Sequence, residues 1–369
     1  MSHPVALVHD WLTGQRGGEN VLAEMARLFP GAPIYTLFHF PGSVVPEIES
    51  HPIVSSYLQR APGIDPWYRY YLPIFPAAIE DLPVGDHRLV LSTSHCVAKG
   101  ARPGPGAVHV CYCHTPMRYA WDQEEAYFGR ARGPVGKLRS TILGRLRRWD
   151  VRTAGRVDHY LANSSFVAGR IRDYYGRRAE VLPPPVDTEF YSPGDGRRDG
   201  PVVMVAALAP YKKVDRAIQA CERLGVPLAV VGEGPERARL EALAGPSTRL
   251  LGRVDAEALR DLYRRAICFL QPGIEDFGIA TVEALACGAP VVALGQGGVL
   301  DIVRDGDQGM LFDDPSVEGI AAAIDKARRM QFNLMNLRER AETFSAPRFA
   351  RRLKELLISY WPDAEGHLA

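Results

Sequence analysis

The feature that most constrains this chain is a repeated alternation of short, almost wholly apolar runs with helical stretches. Val5–His9, Leu89–Ser94, Val108–Cys113 and His159–Asn163 form one set of apolar runs. Val202–Ala206, Leu228–Val231, Arg249–Leu251, Ile267–Leu270 and Pro290–Leu294 form a second. Strands that are apolar on both faces belong in parallel sheets covered by helices on either side. The connector Leu182–Asp187, with three consecutive prolines, and the polar stretch Ser192–Gly200 separate the two sets. A length of 369 residues suits two domains. The expected architecture is α/β, with two Rossmann-like doubly wound domains facing a central cleft. In such sheets ligands bind beyond the carboxyl ends of the strands.

Composition narrows the function classes. A formal net charge of +1 gives no global field to recruit nucleic acid or membrane. The six cysteines lie mostly in apolar runs, which fits buried thiols in a reducing compartment better than a disulfide framework. No apolar run reaches the length of a membrane span. The opening MSHPVALVHDW enters a strand-like run at once, without a signal peptide's basic start and long apolar stretch. The expected location is cytoplasmic.

Ile274–Gly298 carries the strongest site signal. Glu275 and Glu283 stand eight positions apart, and Gly278 opens the helix-competent run Ile279–Cys287. The first amides of such a helix favour an anion, and carboxylates suit hydroxyls, so a sugar nucleotide fits this segment. The bland alternative is an amphipathic helix with two surface glutamates. Pro210–Asp215 places Lys212 and Lys213 just after a strand, where a lysine can neutralise a diphosphate. Asp10–Asn20 places Gly17 and Gly18 at a helix start, where a ligand can approach the backbone or the chain can simply turn. Gly232–Pro235 lacks the third glycine of a dinucleotide fingerprint, because Arg237 stands there, and this disfavours a nicotinamide oxidoreductase.

Cys111, Cys113 and His114 suggest a metal at first sight. Strand alternation puts both thiols on one face and His114 on the other, and no second cluster completes a ligand set. The thiols read as core and His114 as a residue at the strand mouth, before Pro116 forces a turn. Arg130–Arg156 has nine Arg or Lys and one acid, Asp150, with Leu138, Ile142, Leu146 and Trp149 at helical spacing. It is either a basic amphipathic helix for an anionic membrane or a helix whose apolar stripe packs on the first domain. Trp67–Phe75 offers a second amphipathic surface or more core.

Together these features resemble the family 4 retaining glycosyltransferases, of GT-B fold, over essentially the whole chain. The glutamate pair around Phe277–Val282, the following Gly297–Gly298, and the preceding GEGP and PYKKVD carry the resemblance. HDWLTGQRGGEN and CHTPMRYAWD look like a bacterial, mannosyltransferase-like subgroup that builds surface polysaccharides or lipid-linked glycans. The resemblance implies an amino-terminal acceptor-binding domain over residues 1–184 and a nucleotide-sugar domain over 185–345. It also implies a terminal segment, 346–369, whose helix Arg348–Tyr360 crosses back to the first domain.

By the same resemblance, His114, Glu275 and Lys212 are the catalytic residues. His114 lies against the donor sugar, Glu275 holds its hydroxyls and Lys212 neutralises the diphosphate. Phe277, Gly278, Ile279 and Ala280 offer amides, and Glu283 takes the ribose. Gly17 and Gly18 approach the β-phosphate, and Gly252, Arg253 and Val254 border the base. The family's usual arginine five positions before the lysine is replaced by Ala207, with Lys213 or Arg253 as candidate substitutes. Asp301 stands where a glutamate is more usual.

The expected partners are a sugar nucleotide, GDP-mannose in the first instance, and a glycan or lipid-diphosphate-linked acceptor at an inner membrane face. The sugar nucleotide is a substrate; no cofactor and no metal are expected. Competing readings are a UDP-sugar transferase, a sugar-nucleotide 2-epimerase of the same fold, and a catalytically idle partner that docks a transferase to the membrane. The local basic run lacks interleaved aromatics for base stacking, which disfavours nucleic acid.

Overall fold

The computed structural model describes residues 3–121, 129 and 133–369. Asp122, Arg130 and Arg132, which the motif and basic-run readings included, lie outside them. The chain divides into two compact units, Met1–Pro185 with Pro347–Ala369, and Val186–Ala346. The division falls within the triple-proline connector.

In unit 1 the described residues form a seven-stranded parallel sheet in the order β3-β2-β1-β4-β5-β6-β7. The strands are β1 (Val5–His9), β2 (Ile34–Thr36), β3 (Ile53–Ser55), β4 (Leu89–Ser94), β5 (Val108–Cys113), β6 (His159–Ala162) and β7 (Ala179–Val181). The chain runs outward from β1 to β3 and then returns to β4 beside β1. The β1/β4 boundary is therefore the switch point, where two connections leave in opposite directions and open a crevice.

One face of this sheet is covered by the helix Gly17–Leu28 and by the terminal helix Ala346–Tyr360. The latter buries Phe349, Leu353, Leu356 and Leu357 beside Leu7, Leu91 and Tyr112. Each such side chain contributes roughly 1.5–3 kcal/mol. The other face carries Phe75, Ile79 and the helix Gly133–Ala154.

That helix settles one ambiguity. Leu143, Leu146 and Trp149 are buried against the sheet and Ile142 is partly buried, so the apolar stripe is core; only Leu138, at 63% exposure, escapes it. Its single acid, Asp150, is fully buried. Asp150 pairs with Lys99 at 3.0 Å and accepts from Trp121 Nε1 at 2.8 Å and from the Tyr175 hydroxyl at 2.9 Å. Arg147 donates to the Ala120 carbonyl and Arg139 to the Gly129 carbonyl. Lys137, Arg145, Arg148 and Arg152 remain exposed on the outer face. The aromatic stretch also divides, with Leu72 and Phe75 buried and Trp67, Tyr70 and Ile74 exposed.

Unit 2 holds a six-stranded parallel sheet in the order β10-β9-β8-β11-β12-β13. Its strands are β8 (Val202–Val205), β9 (Leu228–Val231), β10 (Thr248–Gly252), β11 (Phe269–Gln271), β12 (Val291–Leu294) and β13 (Gly309–Phe312). The switch point here is β8/β11. Helices Val214–Leu224 and Val317–Arg329 cover one face, and Ala256–Arg265, Ile279–Ala286 and Leu334–Glu342 the other. No described helix is long and apolar enough to cross a membrane.

Candidate functional site

In unit 2 the candidate residues gather beyond the carboxyl ends of β8 and β11. A short 3₁₀ turn, Pro210–Lys212, follows β8. It rests on Gly273, where a Cβ would lie 2.7 Å from the Tyr211 carbonyl oxygen and 3.0 Å from the Lys212 Cα. That close approach brings Lys212 Nζ into a direct ion pair with Glu275 Oε1. The sequence reading gave these two residues separate tasks; the fold makes each the other's partner.

Glu275 lies in the loop before the helix Ile279–Ala286, not on it. Its backbone is fixed from the β12 side. Gly298 N donates to the Glu275 carbonyl at 2.9 Å, and a Cβ on Gly298 would sit 2.3 Å from the Asp276 carbonyl oxygen. The glycine pair 297–298 is thus a backbone seat for the Glu275 loop. Gly278 precedes the helix with φ +104°, and no side chain caps the helix start, which leaves Ile279 and Ala280 at an uncapped amino terminus. The Phe277 side chain is core, stacked edge-on against Phe344.

Glu283, further along the same helix, has different company. The Tyr263 hydroxyl donates to its Oε2 at 3.1 Å. Burial pushes its carboxyl up to about 7, against the opposing effect of that hydrogen bond.

Lys213 has φ +58°, the only positive φ outside glycine among the described residues. Arg253 and Val254 follow β10, with Arg253 exposed. Ala207 is exposed just past β8. Among the described residues no ion pair ties Lys213 or Arg253 to Glu275. Gly232 and Gly234 press against the backbone of Ala206 and Leu208, so the GEGP turn packs on the end of β8.

In unit 1 the helix Gly17–Leu28 begins at the glycine pair, again with no side-chain cap. A Cβ on Gly18 would lie 3.5 Å from His114 Nε2 and 3.6 Å from His9 Cε1, so the helix start sits over two imidazoles. Sequence reasoning named His114 and missed its company. His9 ends β1, Thr93 lies near the end of β4, and His95 follows β4. Asp10, fully buried, accepts the amides of His95, Cys96, Val97 and Ala98 at 2.6–2.9 Å and pairs with His95 Nδ1 at 3.0 Å. That carboxylate joins the ends of β1 and β4 at the switch point. The available signal was position: both histidines stand where an apolar run stops.

All six cysteines are buried and none forms a disulfide, and Cys111 and Cys113 pack together in the core under the helix Ser165–Tyr175. No group of three or more His, Cys, Asp or Glu side chains that could hold a metal ion occurs among the described residues.

Two domain families match. Residues 16–190 match the model described as Glycosyltransferase Family 4, and residues 193–344 match Glycosyl transferases group 1. A D-inositol 3-phosphate glycosyltransferase of Geodermatophilus obscurus is 31% identical over 245 residues, covering 57% of this chain and 53% of that protein. A GDP-mannose-dependent alpha-(1-6)-phosphatidylinositol monomannoside mannosyltransferase of Mycolicibacterium smegmatis is 33% identical over 192 residues, covering 44% and 50%. The chain spans about half the length of the curated relatives it matches. The Anabaena protein HepE in complex with UDP-glucose superposes with a TM-score of 0.69 at 18% identity, covering 96% of this chain and 99% of that one. The Thermosynechococcus elongatus sucrose-phosphate synthase gives 0.71 at 18% identity, covering 98% and 99%. The fold is that of the GT-B glycosyltransferases, and the two domain matches support a family 4-like member.

Proposed function

We propose that the chain transfers a hexosyl group from a nucleoside diphosphate sugar, with retention, to a glycan or a lipid-diphosphate-linked acceptor. The observation that carries this reading is the Lys212–Glu275 pair at the β8/β11 switch point, beside the uncapped start of the helix Ile279–Ala286. A cation and free amides suit a diphosphate; a carboxylate suits sugar hydroxyls. When the bond from the anomeric carbon to the diphosphate breaks, positive charge grows on the sugar and negative charge on the leaving group. A lysine that meets the leaving group then lowers the barrier more than it tightens ground-state binding. Donor binding exchanges the Lys212–Glu275 contact for contacts to phosphate and hydroxyl. From unit 1 the reading takes the amides of Gly17 and Gly18 for phosphate and His114 for the donor sugar. Same-face attack, with a donor phosphate oxygen taking the acceptor proton, needs no enzymic nucleophile and no metal.

GDP-mannose is the proposed donor, on the strength of the mannosyltransferase relative. A UDP-sugar is the second reading, favoured by the UDP-glucose complex of the fold neighbour HepE. The exposed basic face of the helix Gly133–Ala154 is proposed to meet an anionic inner-membrane surface that carries the acceptor. The test is turnover of GDP-mannose and UDP-glucose by the purified chain, with and without lipid-linked acceptor, beside Glu275→Ala. Acceptor-dependent release of GDP that the variant loses is expected. Formation of an epimeric sugar nucleotide without acceptor points to the epimerase reading, and no turnover of any donor to an idle partner.

A further inference from the structure

Behind His114 lies a line of buried polar groups that the sugar-transfer reading does not use. Glu19, on the first turn of the helix Gly17–Leu28, is 3% exposed and turns inward, so that its Oε1 lies 3.6 Å from His9 Nε2. His9 Nδ1 lies 2.8 Å from Thr93 Oγ1, and the same oxygen lies 3.2 Å from His114 Nε2. His9 and Thr93 are fully buried. The order Glu19–His9–Thr93–His114 connects a carboxylate to the imidazole at the mouth of β5. The His114 backbone is pinned at both ends, by its N–H to the Ser94 carbonyl and by Asn163 Nδ2 to its carbonyl, each at 2.9 Å. Its ring packs edge-to-face with Tyr112, the ring centroids 5.1 Å apart.

We propose that Glu19, His9 and Thr93 form a positioning relay that fixes which ring nitrogen of His114 carries its proton. His9 Nε2 is buried with no hydrogen-bond partner among the described residues and lies 3.6 Å from a carboxylate oxygen of Glu19; a lone pair there would face negative charge, so Nε2 holds the proton. In the singly protonated ring, Nδ1 is then an acceptor, and the Thr93 hydroxyl donates to it. The Thr93 oxygen retains lone pairs and accepts from His114 Nε2–H. His114 Nδ1 is left as a lone-pair acceptor with no hydrogen-bond partner among the described residues. Burial, then the nearby His95 and His9, hold His114 well below the ordinary histidine range, so the ring is neutral and the tautomer decides what it offers. A ring with a bare Nδ1 takes a hydrogen bond from a hydroxyl; the opposite tautomer gives one.

The relay concerns unit 1 alone; its use against a sugar hydroxyl rests on the proposed transfer reaction. The test is nitrogen NMR of the full chain with labelled histidines, which separates the two tautomers without any substrate. His114 is expected as the Nε2–H form in the wild type. Thr93→Val and Glu19→Ala should each give a mixture, and Thr93→Ser should keep the single form. A mixture or the Nδ1–H form in the wild type overturns the relay, as does a single form in both disrupting variants. If Thr93→Val does not fold, Glu19→Ala decides. With donor, Thr93→Val should lower kcat about tenfold or more with little change in KM, and Thr93→Ser should restore it. Absence of transfer by the wild type would overturn the transfer reading while the spectra still decide the relay.

Discussion

Replacing Glu283 by glutamine should stabilise unit 2 in a pH-dependent way. The folded chain raises this carboxyl from an ordinary 4.5 to about 7, chiefly through burial. A raised carboxylate pKa means that the folded state holds its proton more tightly than the unfolded state. Stability therefore falls as pH rises between about 4.5 and 7, and the loss is complete above 7. That interval spans roughly 2.5 pH units at about 1.36 kcal/mol each, an upper bound of ~3 kcal/mol. Partial solvent access and relaxation around the ionised group reduce this to on the order of 1–2 kcal/mol.

Glutamine keeps an oxygen for the Tyr263 hydroxyl and carries no charge. Variant and wild type should be nearly equal at pH 4.5 and separate steadily to pH 7, with no further divergence at pH 8. Calorimetry with the two units' transitions resolved should show the unit 2 midpoint raised by roughly 2–8 °C at pH 8. If Glu283 holds the ribose hydroxyls, as the family resemblance implies, the same variant should also bind nucleoside diphosphate more weakly. An equal or lower midpoint at pH 8, or a gap that does not change with pH, refutes the reasoning.

Lys213→Gly should stabilise unit 2 by up to about 1 kcal/mol, because the left-handed conformation strains any residue with a Cβ; a denaturation loss above 1 kcal/mol contradicts this. Lys99→Met leaves Asp150 as an uncompensated buried charge and should cost unit 1 about 3–5 kcal/mol, read by chemical denaturation, whereas a change under 1 kcal/mol contradicts the buried-pair account. Neutralising Lys137, Arg145, Arg148 and Arg152 to glutamine should weaken binding to anionic vesicles by roughly 1 kcal/mol per residue in co-sedimentation, with the fold unchanged. Unaltered sedimentation assigns that face to solvent.

The sheets were legible because short, almost wholly apolar runs alternating with helical stretches leave few alternatives. The runs at β1, β4, β5 and β9 match the observed strands residue for residue. What escaped was short or at a sheet edge. β2, β3 and β7 have three residues each, too few to show a period, and β3, β7 and the four-residue β13 form sheet edges. The helix Gly133–Ala154 shows the limit of composition. Its positive charge is visible in sequence, but whether its stripe meets sheet or membrane depends on what the fold places beneath it. Lys212 and Glu275 stand 63 residues apart, and only the β8/β11 adjacency brings them into contact. His9, Thr93 and Glu19 were invisible as a group for the same reason, since β1 and β4 become neighbours only through the return crossover.

The most direct measurement is a crystal structure of the chain with bound GDP. The diphosphate is expected within hydrogen-bond distance of Lys212 Nζ and of the amides at Ile279 and Ala280, with Lys212 drawn away from Glu275. Nucleotide bound elsewhere on unit 2, with the Lys212–Glu275 pair still closed, would contradict the account.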